Sequence, residues 1–196
     1  GYIPGEIAFF PEMTGLQYLD FLRSYRGLSH TSRMKELMER FEVDARGKIR
    51  KMSKGMKQKI AIVAAFMHDP QVLILDEPTS GLDPLMQNRF TQLIQEERER
   101  GKTIFMSSHI FEEVEKTCHR ICMIKDGKIA ALDDPQTLSA LYSRSYTVTL
   151  PEEAAALDFA RDFQGTVEPQ NPRQVRLTAR KTLEEIFLHY YGEEQK

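Results

Sequence analysis

Two adjacent carboxylates, Asp76 and Glu77, follow the apolar run Val72-Leu73-Ile74-Leu75. Such a run suits a strand buried on both faces of a parallel sheet. In open α/β sheets, ligands collect at the carboxyl ends of the strands. A carboxylate there can hold Mg²⁺, which takes hard oxygen ligands and keeps several waters. Its neighbour can polarise a water for attack on a phosphoryl group. Taken alone, the pattern is equally that of an acidic loop after a core strand.

Further groups flank the pair. Thr79-Ser80-Gly81-Leu82-Asp83 comes almost at once, behind Pro78. Upstream, Met52-Ser53-Lys54-Gly55-Met56-Lys57-Gln58 reads as a Ser-Gly turn opening a helix. The N–H groups and the roughly +0.5 charge of a helix N-terminus make an anion site. Downstream, Ser107-Ser108-His109 ends a second apolar strand, Thr103 to Met106. A lone histidine at a strand end is usually structural. Here the strand is expected beside the Asp76–Glu77 strand, which brings His109 to the same place. Most of the cations near the turn (Lys48, Arg50, Lys51, Lys57 and Lys59) read as a solvated face.

A phosphate-cradling loop of the form Gly-x-x-x-x-Gly-Lys-Ser/Thr follows a strand and opens a helix. Gly101-Lys102-Thr103 does not meet this form. Position 96 is Glu96 instead of glycine, and the triplet follows a helix and precedes a strand.

The elements that carry these groups alternate. Thr14 with Gln17 makes a capping box, followed by Leu16, Leu19, Leu22 and Tyr25 at helical spacing. Met34, Leu37, Met38 and Phe41 share one face of a second helix. A third helix runs from the Ser-Gly turn to before Pro70. Asp83 and Pro84 open a fourth that stops at Gly101, and a short fifth spans Ile110 to Thr117. Asp126-Gly127 between two apolar segments signals a hairpin. After Tyr142 the texture changes: strands at 146–150 and 174–178, a helix at 152–163, and a last helix capped by Thr182 and Glu185 that carries Leu183, Ile186, Phe187 and Tyr190. This predicts an α/β sheet domain over 1–142 and a small α+β appendage over 143–196.

The order of the Ser-Gly turn, the Val72–Asp76 strand, the Ser80–Asp83 loop and His109 resembles the ABC-type ATPases over about residues 1–132. The resemblance implies a partial P-loop-type nucleotide-binding domain with a helical subdomain over about 11–48. It identifies Asp76 with the Mg²⁺-binding Walker B aspartate, Glu77 with the catalytic glutamate and His109 with the switch histidine that contacts the γ-phosphate. Ser80, Gly81 and Asp83 match the D-loop. Ser53, Lys54, Gly55 and Met56 occupy the signature that caps ATP held by the opposite subunit. The usual signature is Leu-Ser-Gly-Gly-Gln. Here Lys54 reads either as a cation offered to phosphate or as a solvent-facing side chain. Gly5 stands where the family's Q-loop commonly has Gln, with Glu6 beside it as a substitute. The family's P-loop lies ahead of Gly1, so the chain is expected to be N-terminally incomplete.

The resemblance also implies ATP and Mg²⁺ as cofactors, and as partners a transmembrane permease and a second nucleotide-binding subunit. The expected place is the cytoplasmic face of the membrane, with export the expected direction. The alternatives are a non-catalytic subunit that lends its signature to a partner, and a soluble ABC-type ATPase. Composition fits a subunit of this sort. In 196 residues of net charge −2 there is no overall field to attract nucleic acid. The longest apolar run, Ile60 to Met67, is far short of the ~20 residues of a membrane helix. Cys118 and Cys122 form no disulfide framework, which fits a reducing compartment, and Cys118-His119-Arg120-Ile121-Cys122 offers too few ligands for a metal site.

Overall fold

The computed structural model of the protein describes residues 1–141, 144–179 and 182. The chain forms two compact units, Gly1–Thr117 and Cys118–Lys196. The division falls ahead of the Asp126-Gly127 hairpin, whereas the change in sequence texture comes after Tyr142.

In the first unit, β1 (Tyr2–Ile3), β2 (Val72–Asp76) and β3 (Thr103–Ser107) form a parallel sheet in the order β1-β2-β3. β2 and β3 pair along their whole length, Val72 opposite Thr103 and Asp76 opposite Ser107. Their carboxyl ends are therefore level.

Five helices accompany this sheet: α1 (Gly15–Tyr25), α2 (Ser32–Arg40), α3 (Lys54–Phe66), α4 (Pro84–Glu99) and α5 (Phe111–Thr117). The capping box of α1 is present, with the Gln17 N–H donating to Thr14 Oγ1 and the Thr14 N–H to Gln17 Oε1. Asp83 Oδ1 accepts the Met86 N–H at 3.0 Å and Pro84 opens α4. α3 buries every residue from Ile60 to Phe66. Its Phe66 meets Phe90 of α4 edge-on, with ring centres 6.3 Å apart. Each such side chain contributes about 1.5–3 kcal/mol by leaving water.

Leu73 and Leu75 face this core, and Ile104 and Met106 pack against it. The opposite face is open. Tyr2, Ile74 and Phe105 lie in one row across the sheet and are 62%, 48% and 72% exposed. The expectation that Val72–Leu75 is buried on both faces is thus corrected. The described helices cover one face, and the two-residue pleat turns alternate side chains away from them.

The segment 11–48 is tied down at both ends. The Leu16 N–H donates to Ala45 O, the Ile49 N–H to Met13 O and the Arg50 N–H to Pro11 O. A single 3₁₀ turn, Ile49–Lys51, then delivers Met52 and Ser53 to the start of α3.

Gly101-Lys102-Thr103 closes the turn from α4 to β3. Gly101 has φ 80, a left-handed conformation that glycine adopts without steric cost. Lys102 is buried and ion-paired with Glu97 and Asp69. Arg33 and Arg100 also pair with Glu97. The lysine is committed to this network, so the triplet has no free cation for a phosphate.

In the second unit, β4 (Ile121–Lys125) and β5 (Lys128–Asp133) form the expected antiparallel hairpin. Asp126 and Gly127, at φ 50 and 71, make its two-residue turn. Asp134 Oδ1 accepts the Gln136 and Thr137 N–H groups ahead of α6 (Pro135–Leu141). A second sheet, in the order β6-β8-β7, follows from β6 (Arg144–Thr149), β7 (Thr166–Glu168) and β8 (Asn171–Ala179). α7 (Glu153–Asp162) packs Ala156 and Ala160 with Val175. β7 was not anticipated, because Thr166-Val167-Glu168 is too short to show alternation. The predicted last helix lies outside the described residues, apart from Thr182.

Removing the Glu97 carboxylate leaves the buried Lys102 without its nearest counter-charge. Glu97→Ala is expected to cost about 3–5 kcal/mol, read from urea unfolding by circular dichroism. A loss below about 1 kcal/mol would contradict the network.

Candidate active site

The level ends of β2 and β3 place Asp76 beside Ser107. The Ser107 hydroxyl donates to Asp76 Oδ1 and accepts the Glu77 N–H at 3.1 Å. One serine thus orients both acidic residues. Asp76 is solvent-exposed, and its other oxygen faces Gly5. A Cβ at position 5 would lie 2.7 Å from Asp76 Oδ2. No side chain fits there while Asp76 keeps this position. Glu6 is the next residue and is exposed.

Glu77 has φ 46, a left-handed conformation that costs a non-glycine residue about 1–2 kcal/mol. The bend is held by its surroundings. The buried Gln58 amide donates to Pro78 O at 2.7 Å, and the Ser80 N–H donates to Glu77 O at 3.1 Å. The Glu77 side chain then reaches His109, with Oε2 2.6 Å from Nδ1. With Glu77 ionised, Nδ1 carries the proton of this bond. His109 is largely exposed and Glu77 one-third exposed, so the pair adds little to stability. Its effect is to aim the carboxylate.

A second group lies at the start of α3. Ser53 Oγ accepts the Met56 N–H at 3.2 Å and caps the helix. Lys54 Nζ donates to Ser80 Oγ at 2.7 Å. Its stem packs on Gly81, where an added Cβ would meet Lys54 carbons at 3.1 Å. A Cβ at Gly55 would lie 2.6 Å from Gly81 O. Lys54 and Gly55 therefore meet Ser80 and Gly81 within one chain. A substitution at Gly55 disturbs this contact before it reaches any ligand. Met56 is exposed on the first turn of α3, and Asp83 is used as the α4 cap.

Four positioning groups were not picked out from the sequence. Ser107 and Ser108 were visible only as a strand end, and Gln58 only as part of a helix. Glu113 was one of several acids on a short helix. It is buried, and burial pushes its carboxyl above the usual carboxylate range. Fold-level pairing of distant segments makes these contacts, and no local pattern announces them.

Comparison with known proteins gives the family of the chain. A family model described as "AAA domain, putative AbiEii toxin, Type IV TA system" matches residues 30–115, less than half of the chain. The linearmycin resistance ATP-binding protein LnrL of Bacillus subtilis is 39% identical over 67% of this chain and 44% of its own length. The Nod factor export ATP-binding protein I of Burkholderia thailandensis is 30% identical over 100% of this chain and 73% of its own length. The chain belongs to the ATP-binding proteins of ABC transporters. It spans about half the length of several of the curated ABC proteins it matches. A solved ATP-binding subunit of an ABC transporter superposes with TM-score 0.66 at 30% identity, covering 72% of this chain and 61% of that one. The ATP-binding cassette MJ0796, solved as a dimer bound to ADP and Pi, shares the fold with TM-score 0.61 at 24% identity, covering 68% of this chain and 62% of that one.

The backbone at Glu77 gives a stability test. Asparagine tolerates left-handed φ better than glutamate. Glu77→Asn is expected to raise the unfolding free energy by about 0.5–1 kcal/mol, read from the urea midpoint. An unchanged or lowered midpoint would contradict the assigned strain.

Proposed function

We propose that the intact protein binds ATP with Mg²⁺ and hydrolyses it, and that the hydrolysis drives export through a separate membrane-spanning partner. The observation that supports this best is the Glu77 carboxylate, aimed by His109 and set beside Asp76 at the end of β2. In this reading Glu77 takes a proton from water as the water oxygen attacks the γ-phosphorus. The bond to the bridging oxygen breaks, leaving ADP and phosphate. His109 holds Glu77 through Nδ1–H and, when doubly protonated, donates from Nε2 to a phosphate oxygen. Asp76, with one oxygen held by Ser107 and no side chain at Gly5, would hold Mg²⁺. When bound, Mg²⁺ neutralises charge on the phosphate oxygens. Glu6 is the remaining acid close to this corner in sequence, and we keep it as a contact of the nucleotide site.

We assign Ser53, Lys54, Gly55 and Met56, with Ser80, Gly81 and Asp83, to an ATP held by a second nucleotide-binding subunit. Residues 1–196 hold no phosphate-cradling Gly-rich loop for the Ser53 helix start to complement. The second subunit supplies the phosphates. The segment 11–48 is assigned to contact with a transmembrane permease, and 143–196 to the appendage. No described helix is long and apolar enough to cross a membrane, and the proposed place is peripheral, on the cytoplasmic face. Relatives named for Nod factor export support export as the direction.

Two measurements test this. In the full-length protein, Glu77→Gln is expected to cut steady-state turnover by roughly 10²–10⁴ with ATP affinity retained. Turnover at the parent rate would remove Glu77 from the chemistry. Residues 1–196 on their own are expected to show no tight Mg-ATP binding by calorimetry and no phosphate release above background, because phosphoryl transfer depends on a grip on the phosphates. Micromolar binding with steady turnover would overturn the assignment of that grip to a segment outside these residues.

A further inference from the structure

We infer that Glu113 is a positioning residue that ties the Thr79–Gly81 turn to the Ser108–His109 segment, so that the Ser53 helix start and the Glu77–His109 pair are mechanically linked. One oxygen makes the tie. Glu113 Oε2 accepts the Thr79 hydroxyl at 3.1 Å and the Ser108 hydroxyl at 2.7 Å. Glu113 is 5% exposed and Thr79 1%, and Ser108 is half-buried. Ser108 Oγ in turn accepts the Ile110 N–H at 3.1 Å, which fixes the backbone on the far side of His109. Thr117 Oγ1 donates to Glu113 O at 2.7 Å, a bond within the last turn of α5.

On one side of the tie, the next two residues, Ser80 and Gly81, touch Lys54 and Gly55. On the other side, His109 holds Glu77. The path from the α3 start to His109 thus runs through the Glu113 carboxyl group, beside the shorter contacts that hold the Glu77 backbone, Gln58 on Pro78 O and the Ser80 N–H on Glu77 O. An apolar side chain of the same shape would fill the site at lower desolvation cost. What glutamate adds is a connection between two loops from different parts of the chain. Its second oxygen, Oε1, is buried with no hydrogen-bond partner. A cavity of about 40 Å³ beside Glu113 is lined by Gln87, Asn88 and Thr91 among others, which is room for a water.

The inference rests on the proposed hydrolysis only for its kinetic consequence. The first arm therefore reads His109 directly, by ¹⁵N side-chain spectra of the nucleotide-free, full-length protein. The parent is expected to hold the Nδ1-protonated ring that the Glu77 carboxylate requires. Thr79→Val removes one hydroxyl far in sequence from His109 and is expected to shift the ring toward the other tautomer. Glu113→Leu is expected to do the same. Glu113→Gln keeps a carbonyl oxygen for both hydroxyls and is expected to restore the parent spectrum. If Glu113→Leu does not fold, Thr79→Val decides. A parent-like His109 spectrum in Thr79→Val overturns the link.

The second arm is turnover of the full-length protein. Thr79→Val is expected to lower kcat roughly ten- to a hundredfold with the KM for ATP unchanged, and Glu113→Gln to stay within about twofold of the parent. A loss confined to KM overturns the positioning role. A parent protein that does not hydrolyse ATP overturns the proposed function and leaves the spectra to decide the link.

Discussion

The structure of the site depends on one pairing, the parallel ladder between β2 and β3. Five residues of each strand lie opposite one another, and both strands end at the same height. Ser107 is thereby placed where one hydroxyl can meet Asp76 and the Glu77 N–H together. A slip of one residue would turn Ser107 to the other face, because side chains alternate along a strand. The register is protected from within. Leu73, Leu75, Ile104 and Met106 face the core of α3 and α4, and a slip would expose them. The apolar core and the polar corner are thus two results of one register.

Polar groups in low-water surroundings then shape the loops that leave the ladder. Gln58 is buried, with its amide on Pro78 O. Glu113 is buried and shared between two hydroxyls. These contacts oppose the unfavourable φ at Glu77, which the backbone would not keep by itself. A different buried network, Lys102 with Glu97, Asp69, Arg33 and Arg100, joins α2, α4 and the start of β3. It gives the helical segment an ionic attachment to the sheet side of the unit, beside the backbone staples at Ala45 and Met13.

Much of this was legible in the sequence where the signal is local. The Thr14–Gln17 box, the Asp83-Pro84 helix start and the Asp126-Gly127 turn each follow from the chemistry of two or three neighbouring residues, and each is present. The adjacency of His109 to Glu77 was also legible, because two apolar strands of one sheet tend to lie side by side. What local pattern does not carry is long-range geometry. Ser107 and Glu113 acquire their roles from segments about thirty residues away, and Lys54 finds Ser80 in the same manner. The burial of β2 was misjudged for a related reason. An apolar run says that a strand prefers cover, and the pleat left Ile74 and Phe105 on a face that the described helices do not reach.

The central claim is that Glu77 and His109 act as one unit, held by the β2–β3 register. A double-mutant cycle on the full-length protein tests it most directly, with turnover measured for the parent, Glu77→Gln, His109→Ala and the pair. Groups that act as a unit give strongly non-additive losses. The account predicts that the double variant is about as slow as the slower single variant. Losses that multiply would contradict it, and would mean that the bond between Glu77 and His109 has no part in the reaction.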